Sequence, residues 1–174
     1  KPLILIAGGN QGAQVINLAI KGCLGKILAK YNVFHQVGRL DLAGFRKLEQ
    51  KNYRVADFVE GADWGTLLNK ADLVISRAGI NTLTELGALG KPMLLIPISW
   101  LFGNEQTRNA QMFKAAGLAE IISQDELTSE LLLKTIEKMM ASATFYQKNA
   151  FQARKLVAPE AAVKIVKLIS ETAI

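Results

Sequence analysis

Two glycine-containing turns in this sequence have residue types and spacing suited to binding phosphate. The first reads AGGNQGA at 7–13 and the second reads SRAGINTLTE at 76–85, each between an apolar run and a helical pattern. Glycine lets a ligand approach the backbone closely, and the N–H groups that open a helix attract anions. The pattern therefore predicts a phosphate-binding turn at both places. The alternatives are tight strand–helix packing at the first turn and helix capping by Asn81 or Thr82 at the second.

Two further features suit a ligand that carries sugar. Glu85 lies about one helical turn into the segment after the second turn, where its carboxylate can accept hydrogen bonds from a ribose diol. The stretch ISWLFGNEQTRNA at 98–110 follows another apolar run and combines two aromatic residues with side chains that donate and accept hydrogen bonds. The alternative for that stretch is the polar start of a surface helix. Its polar side chains are Asn104, Glu105, Gln106, Arg108 and Asn109.

The first turn also fits a loose dinucleotide fingerprint. Read from Ala7, it gives A-x-G-x-x-G with Gly9 and Gly12 in place. Such a fingerprint needs an acidic residue about 20 residues further on, at the end of the second strand. The sequence there reads HQVGR, and the first carboxylate is Asp41. An NAD(P)-binding domain of an oxidoreductase is therefore an alternative, supported by Arg39 as a partner for a 2′-phosphate.

Residues for self-contained catalysis are not apparent in the sequence. One histidine, His35, and one cysteine, Cys23, argue against a zinc site, and no Ser–His–Asp or Cys–His set is visible. A lone histidine is more often a structural residue than a catalyst. The sequence thus predicts a binder of a phosphorylated, sugar-bearing ligand, with no metal, no cofactor and no catalytic residue in this domain.

Length and composition predict one globular domain. The chain has 174 residues, of which 50% are hydrophobic and 21% charged. Its apolar runs are too short to span a membrane, and no signal peptide is visible. The net charge of +6 comes from scattered Lys and Arg, which favours a solvated exterior; the alternative is attraction to an anionic ligand or an acidic membrane surface, and we expect no nucleic-acid partner. A single cysteine fits a reducing compartment, so we expect a cytoplasmic protein.

Short apolar runs alternate with helix-length segments along the chain, which predicts right-handed βαβ units. The expected fold is α/β, a Rossmann-like doubly wound sheet of six parallel strands. The predicted strands are LILIA (3–7), NVFHQVG (32–38), YRVADF (53–58), DLVIS (72–76), PMLLIP (92–97) and LAEII (118–122). The predicted helices span 13–29, 40–51, 63–69, 80–89 and 105–116, with a helix-rich tail from 127.

Several motifs together resemble a known family. They occur in the order and spacing of the MurG-type N-acetylglucosaminyltransferases, which add N-acetylglucosamine to the lipid-linked muramoyl-pentapeptide precursor of peptidoglycan. The resemblance runs from about residue 3 to 125 and concerns the C-terminal, donor-binding half of a two-domain GT-B transferase. The motifs are GGNQGAQVIN, HQVG, DFVEGA, ADLVISRAGINTLTE, GKPMLLIPI and NEQTRNA.

The resemblance implies roles for three groups of residues. Those expected around the diphosphate are Gly8, Gly9, Asn10, Gln11 and Gly12, with Ala78, Gly79, Ile80, Asn81 and Thr82. Those expected at the nucleoside are Phe58 and Val59 beside uracil, and Glu85 at the ribose. Those expected at N-acetylglucosamine are Glu105, Gln106 and Asn109. The family usually has serine at the position of Asn10 and glutamine at that of Glu105.

The resemblance also implies a mechanism and partners. Such enzymes invert the anomeric centre by direct displacement without a protein-bound metal at the nucleotide, and a general base on the N-terminal half deprotonates the acceptor. That half, with the acceptor groove and the membrane-associating patch, is absent from this sequence, which opens at Lys1 like a piece of a longer protein. We expect the chain to bind UDP-N-acetylglucosamine without turnover, and the longer protein to lie at the inner face of the plasma membrane. The alternatives are a non-catalytic nucleotide-sugar-binding subunit and a transferase with another lipid-linked acceptor.

Overall fold

Six parallel strands form a single sheet in the computed structural model, which describes residues 1–8, 12–98, 104–158 and 160–172. Their order is β3-β2-β1-β4-β5-β6, so the direction in which strands are added reverses between β1 and β4. This is the doubly wound arrangement that the sequence predicts. The strands are β1 Leu3–Ala7, β2 Asn32–Gln36, β3 Tyr53–Ala56, β4 Leu73–Ser76, β5 Met93–Leu95 and β6 Ala119–Ile121.

Helices connect the strands and continue as a tail after β6. They are α1 Gln14–Lys30, α2 Arg39–Arg46, α3 Gly61–Lys70, α4 Ile80–Leu89, α5 Glu105–Ala115, α6 Ser129–Ala141, α7 Ala143–Arg154 and α8 Ala161–Thr172. A turn of 3-10 helix, Gln124–Glu126, precedes α6. Every position of α8 is exposed, whereas α6 packs on α1 and α7 packs near α4. Among the described residues, no helix is both long enough and apolar enough to cross a membrane.

The core forms where the sequence has continuous apolar runs. The central strand β1 has Ile4, Leu5 and Ile6 with no exposed surface, because helices cover both faces of a parallel sheet. Helix α1 contributes a buried stripe at helical spacing that includes Ile16 and Ile20. The apolar runs therefore correctly located all six strands, and the strands that are apolar nearly throughout, β1, β4 and β5, are almost fully buried.

Helix α2 is shorter than the sequence predicts. The pattern suggested a helix to residue 51, but the helix ends at Arg46. Gln50 and Tyr53 then exchange two backbone hydrogen bonds of 3.2 and 3.0 Å, which turn the chain into β3. This antiparallel bridge closes a tight turn at Lys51 and Asn52, which helical periodicity does not reveal.

A buried polar network ties α1, β2 and β3 together. The ring of His35 lies 2.9 Å from the Tyr53 hydroxyl through Nδ1 and 2.9 Å from Asn17 Oδ1 through Nε2. Asn17 Nδ2 donates to the Val37 carbonyl at 2.9 Å and to Asp41 at 2.7 Å. The prediction that His35 is a structural residue is confirmed, and the network holds Val37 where the first glycine turn meets the sheet.

Candidate functional site

A cleft of about 730 Å³ lies across the carboxyl ends of five adjacent strands, β3, β2, β1, β4 and β5. Its centre is the point between β1 and β4 where the strand order reverses, the usual ligand position in such sheets. A cleft of this volume suits a ligand of nucleotide-sugar size. The lining residues are Ala7, Gly8, Gly12, Gln36, Phe58, Val59, Glu60, Gly61, Trp64, Ser76, Arg77, Gly79, Asn81, Thr82, Glu85, Ile98 and Gln106.

The structure brings nine of the predicted donor-binding residues into this lining. They are Gly8, Gly12, Phe58, Val59, Gly79, Asn81, Thr82, Glu85 and Gln106. Four others are not among the described lining residues: Ala78, Ile80, Glu105 and Asn109. Three more predicted residues, Gly9, Asn10 and Gln11, lie outside the described part of the chain, as do Trp100 and Phe102 of the third stretch.

The first turn needs glycine at both of its described glycine positions. A Cβ on Gly8 would lie 2.4 Å from the backbone nitrogen of Ala13. Gly12 has φ +78°, and a Cβ there would lie 2.2 Å from the Val37 carbonyl oxygen. Close packing of backbone against backbone therefore explains both glycines, and it also gives the cleft a wall of bare backbone.

Two of the helices that begin at this cleft, α1 and α4, have neither a side-chain cap nor an acidic residue in the first turn, whereas α3, which is also uncapped, has Asp63 there. Helix α1 starts after Ala13 with no acidic residue in its first turn, and α4 starts after Gly79 in the same way. The alternative that Asn81 or Thr82 caps α4 is wrong, since Gly79 is the N-cap residue and no side chain bonds there. The first N–H groups of a helix have no partner within it, and they carry the positive end of the helix dipole. Both helix ends are thus suited to an anion.

Helix α3 supplies a partner for Glu85 that the sequence did not reveal. The Trp64 indole Nε1–H donates to Glu85 Oε2 at 2.8 Å. Trp64 is half-buried against the core, while Glu85 is exposed at the cleft. Trp64 lies within the predicted helix 63–69, but nothing in its spacing indicates a contact with a residue 21 positions away.

The apolar end of the cleft follows β3. Phe58 is 40% exposed and Val59 is half-buried, and both face the cleft. The side chain of Gln36, itself buried at the end of β2, accepts a hydrogen bond from the Val59 N–H at 3.2 Å. Gln36 was missing from the predicted site, although the HQVG motif contains it. It fixes the backbone of the segment that carries Phe58.

Helix α5 holds the loops after β4 and β5 together. Gln106 Oε1 accepts from the N–H groups of Ala78 at 3.3 Å and Ile98 at 3.1 Å. Asn109 Nδ2 donates to the Ala78 carbonyl at 3.2 Å and to Glu105 Oε1 at 3.4 Å. Both backbone polar groups of Ala78 are therefore engaged by side chains of α5.

Arg77 is the one cation among the described lining residues, which also include the acids Glu60 and Glu85. Its Nη1 donates to the Ile96 carbonyl at 3.0 Å. Burial lowers the pKa of Arg77, but an arginine stays charged at neutral pH. Arg77 was missing from the predicted site, although the RAG motif contains it. Within the described ranges, no cluster of three or more His, Cys, Asp or Glu is placed to hold a metal ion.

Comparison with known proteins assigns this chain to a family. Residues 3–168 match the glycosyltransferase family 28 C-terminal domain. Two similar curated relatives carry the name UDP-N-acetylglucosamine--N-acetylmuramyl-(pentapeptide) pyrophosphoryl-undecaprenol N-acetylglucosamine transferase. The one from Clostridium kluyveri is 35% identical over 98% of this chain and 47% of its own length; the one from Geobacillus kaustophilus is 36% identical over 99% and 47%.

A solved structure has the same fold. The crystal structure of Acinetobacter baumannii MurG matches with a TM-score of 0.84 and 29% identity, over 99% of this chain and 50% of that one. The expected GT-B C-terminal-domain fold is confirmed. The chain spans about half the length of the curated relatives it matches. It belongs to the family described as the glycosyltransferase family 28 C-terminal domain.

Proposed function

We propose that this chain is the UDP-sugar-binding half of a longer inverting glycosyltransferase. The longer protein would transfer N-acetylglucosamine from UDP-N-acetylglucosamine to a lipid-linked peptidoglycan precursor. The observation that carries the proposal is the pair of uncapped helix N-termini, of α1 and α4, at one cleft beside the strand-order reversal. The names of the two curated relatives support the choice of sugar and acceptor.

The donor would lie along the strand ends. We place uracil beside Phe58 and Val59 at the β3 end and the ribose at Glu85. The diphosphate would lie between the two helix N-termini, at the centre of the cleft. The sugar would then lie toward the β5 end, within reach of Gln106. Asn109 and Ala78 would support that end through the α5 contacts.

In this half the chemistry would be stabilisation of the leaving group. As the bond from the sugar to UDP breaks, negative charge collects on the diphosphate. Each helix N-terminus carries roughly half a positive charge, and Arg77 adds a full one near the same backbone. The general base, the acceptor groove and the surface that associates with the inner face of the plasma membrane would belong to the rest of the longer protein.

The contacts of Asp41 argue against the NAD(P) alternative. A bound nicotinamide dinucleotide needs an acceptor for its ribose hydroxyls at the end of β2. Asp41 is the nearest acid along the chain, and its Oδ2 already accepts from Asn17 Nδ2 at 2.7 Å. The end of β2 instead carries Gln36, which bonds to the Val59 backbone.

Calorimetric titration of the chain with UDP, UDP-N-acetylglucosamine and NADP⁺ tests the proposal. We expect binding of both uridine nucleotides and no heat of binding with NADP⁺. Binding of NADP⁺ without binding of UDP would contradict the proposed function. Titration with GDP serves as the control for base recognition, because the proposed base site beside Phe58 and Val59 is assigned to uracil and should bind a purine less tightly.

A further inference from the structure

We infer that Trp64 is a positioning residue that holds the Glu85 carboxylate ready for the ribose hydroxyls. The inference rests on the proposed function, since it assumes that Glu85 binds the ribose. Trp64 lies on α3 and Glu85 on α4, and the two helices approach each other at the cleft. Both side chains line the same cleft, and the indole N–H donates to Oε2 at 2.8 Å.

The carboxylate of Glu85 is exposed, so it needs a hydrogen-bond partner such as the Trp64 indole to hold one orientation. The long side chain of Glu85 loses rotamer entropy when a ligand fixes it, which weakens binding unless the side chain is already held in place. Among the described residues, no Lys or Arg forms an ion pair with Glu85. The charge-assisted bond from Trp64 is therefore the contact that restricts the carboxylate.

The indole leaves the carboxylate free to bind a diol. A carboxylate has about four lone-pair sites on its two oxygens. Trp64 uses one site on Oε2, so the remaining sites serve the two ribose hydroxyls. The indole itself is a rigid anchor, because the ring is half-buried and packs against the hydrophobic core. A flexible donor in its place would not restrict Glu85 in this way.

The test compares UDP with 2′,3′-dideoxy-UDP by calorimetry. The variants are Trp64→Phe, which keeps an aromatic ring and loses the N–H donor, Glu85→Ala, and the two combined. We expect Trp64→Phe to weaken UDP binding about three- to tenfold, the cost of freeing one side chain, and to leave dideoxy-UDP binding unchanged. The combined variant should behave like Glu85→Ala alone.

The outcomes separate this inference from the proposed function. If Trp64→Phe weakens the binding of UDP and of dideoxy-UDP equally, the positioning role is wrong and the proposed function stands. The same holds if Trp64→Phe leaves the preference for UDP over dideoxy-UDP intact while Glu85→Ala abolishes it. If the unaltered chain does not bind UDP, both fail. If it binds UDP but Glu85→Ala keeps the preference, the ribose role of Glu85 and the inference fail together.

A second measurement needs no change at Trp64. The chain has two tryptophans, so Trp100→Phe leaves one indole N–H signal in the proton NMR spectrum. We expect that signal to move when Glu85→Gln removes the charge, and to move on adding UDP more than on adding dideoxy-UDP. A signal that responds to neither change would overturn the inference even if Trp64→Phe does not fold.

Discussion

At the scale of single residues, the buried histidine has one protonation state that the contacts define. Asn17 Oδ1 only accepts hydrogen bonds, so His35 Nε2 must carry the hydrogen, and Nδ1 must accept from the Tyr53 hydroxyl. Burial lowers the pKa of His35 to about 3 and raises that of Tyr53, so both groups stay neutral in the fold near neutral pH. The same Asn17 also holds the Val37 carbonyl oxygen, and that oxygen leaves no room for a Cβ on Gly12.

This network predicts that the free energy of unfolding decreases as the pH is lowered from 7 to 5. The unfolded chain binds a proton at His35 near pH 6.5, and the folded chain does so only near pH 3. The unfolded state therefore binds more protons between these values, and the free energy of unfolding decreases as pH falls below about 6.5. We expect a loss of about 2 kcal/mol between pH 7 and pH 5, measured by urea denaturation.

His35 is the only histidine, so a variant provides a direct control for that loss. In His35→Gln the free energy of unfolding at pH 7 should be lower, because a buried donor–acceptor chain is broken. Its change between pH 7 and pH 5 should be small. A change in the variant as large as in the parent chain would assign the pH dependence to other groups.

At the scale of elements, the starts of α1 and α4 are the parts of the fold arranged for a ligand. Neither start has a side-chain cap, although Thr128 caps α6 by accepting from the Leu131 N–H at 3.1 Å. Helices α2, α3 and α5 also lack a side-chain cap, but each has an acidic residue in its first turn, whereas α1 and α4 have none. An anion placed there would satisfy groups that the protein leaves to solvent.

Gly79→Val tests the start of α4 directly. Gly79 has φ −69° and ψ 135°, an extended conformation that valine adopts readily, and a Cβ there meets no described atom within 4 Å. The fold should tolerate the change, whereas a diphosphate close to the backbone should not. We expect at least a tenfold loss of UDP affinity in calorimetry, with a thermal midpoint within a few degrees of the parent chain.

Gly44→Val is the matched control. A Cβ on Gly44 also meets no described atom within 4 Å, and the residue lies on α2 outside the cleft lining. Glycine and valine have similar, low helix propensities, so the change should alter neither stability nor UDP binding strongly. If the Gly79→Val and Gly44→Val variants bind UDP equally well, the diphosphate does not lie against the backbone at the start of α4.

The strands could be predicted from the sequence because burial on both faces of a parallel sheet produces continuous apolar runs. The apolar runs located all six strands within two residues at each end, and the largest difference is that the runs continue two residues beyond the ends of β2, β3 and β5. The side-chain contacts between different elements leave no comparable pattern in the sequence. Trp64 and Glu85 are 21 positions apart and Gln106 and Ala78 are 28 apart, and only the packing of α3, α4 and α5 brings them together.

At the scale of the whole molecule, the cleft holds groups for binding a donor and few for moving a proton. Its described acids are Glu60, which precedes α3, and Glu85, which Trp64 already contacts. His35 is buried beneath the strand ends with both ring nitrogens engaged. An acceptor hydroxyl needs a base within hydrogen-bond reach, with a pKa near the working pH. The structure therefore favours donor binding as the task of this half.

The corresponding prediction is that the isolated chain binds UDP-N-acetylglucosamine but transfers no sugar. Mixed with donor and a lipid-linked muramoyl-pentapeptide acceptor, it should release no UDP above the uncatalysed background, because the base and the acceptor groove of our proposal belong to the rest of the longer protein. A coupled assay for UDP release, run on the sample used for calorimetry, makes the comparison. The longer protein carrying this chain is the positive control, and Gly79→Val in that protein should lower its turnover at least tenfold when the donor concentration is below saturation. Transfer by the isolated chain would contradict the proposed division of labour, and it would make Glu60 the first residue to test as a base.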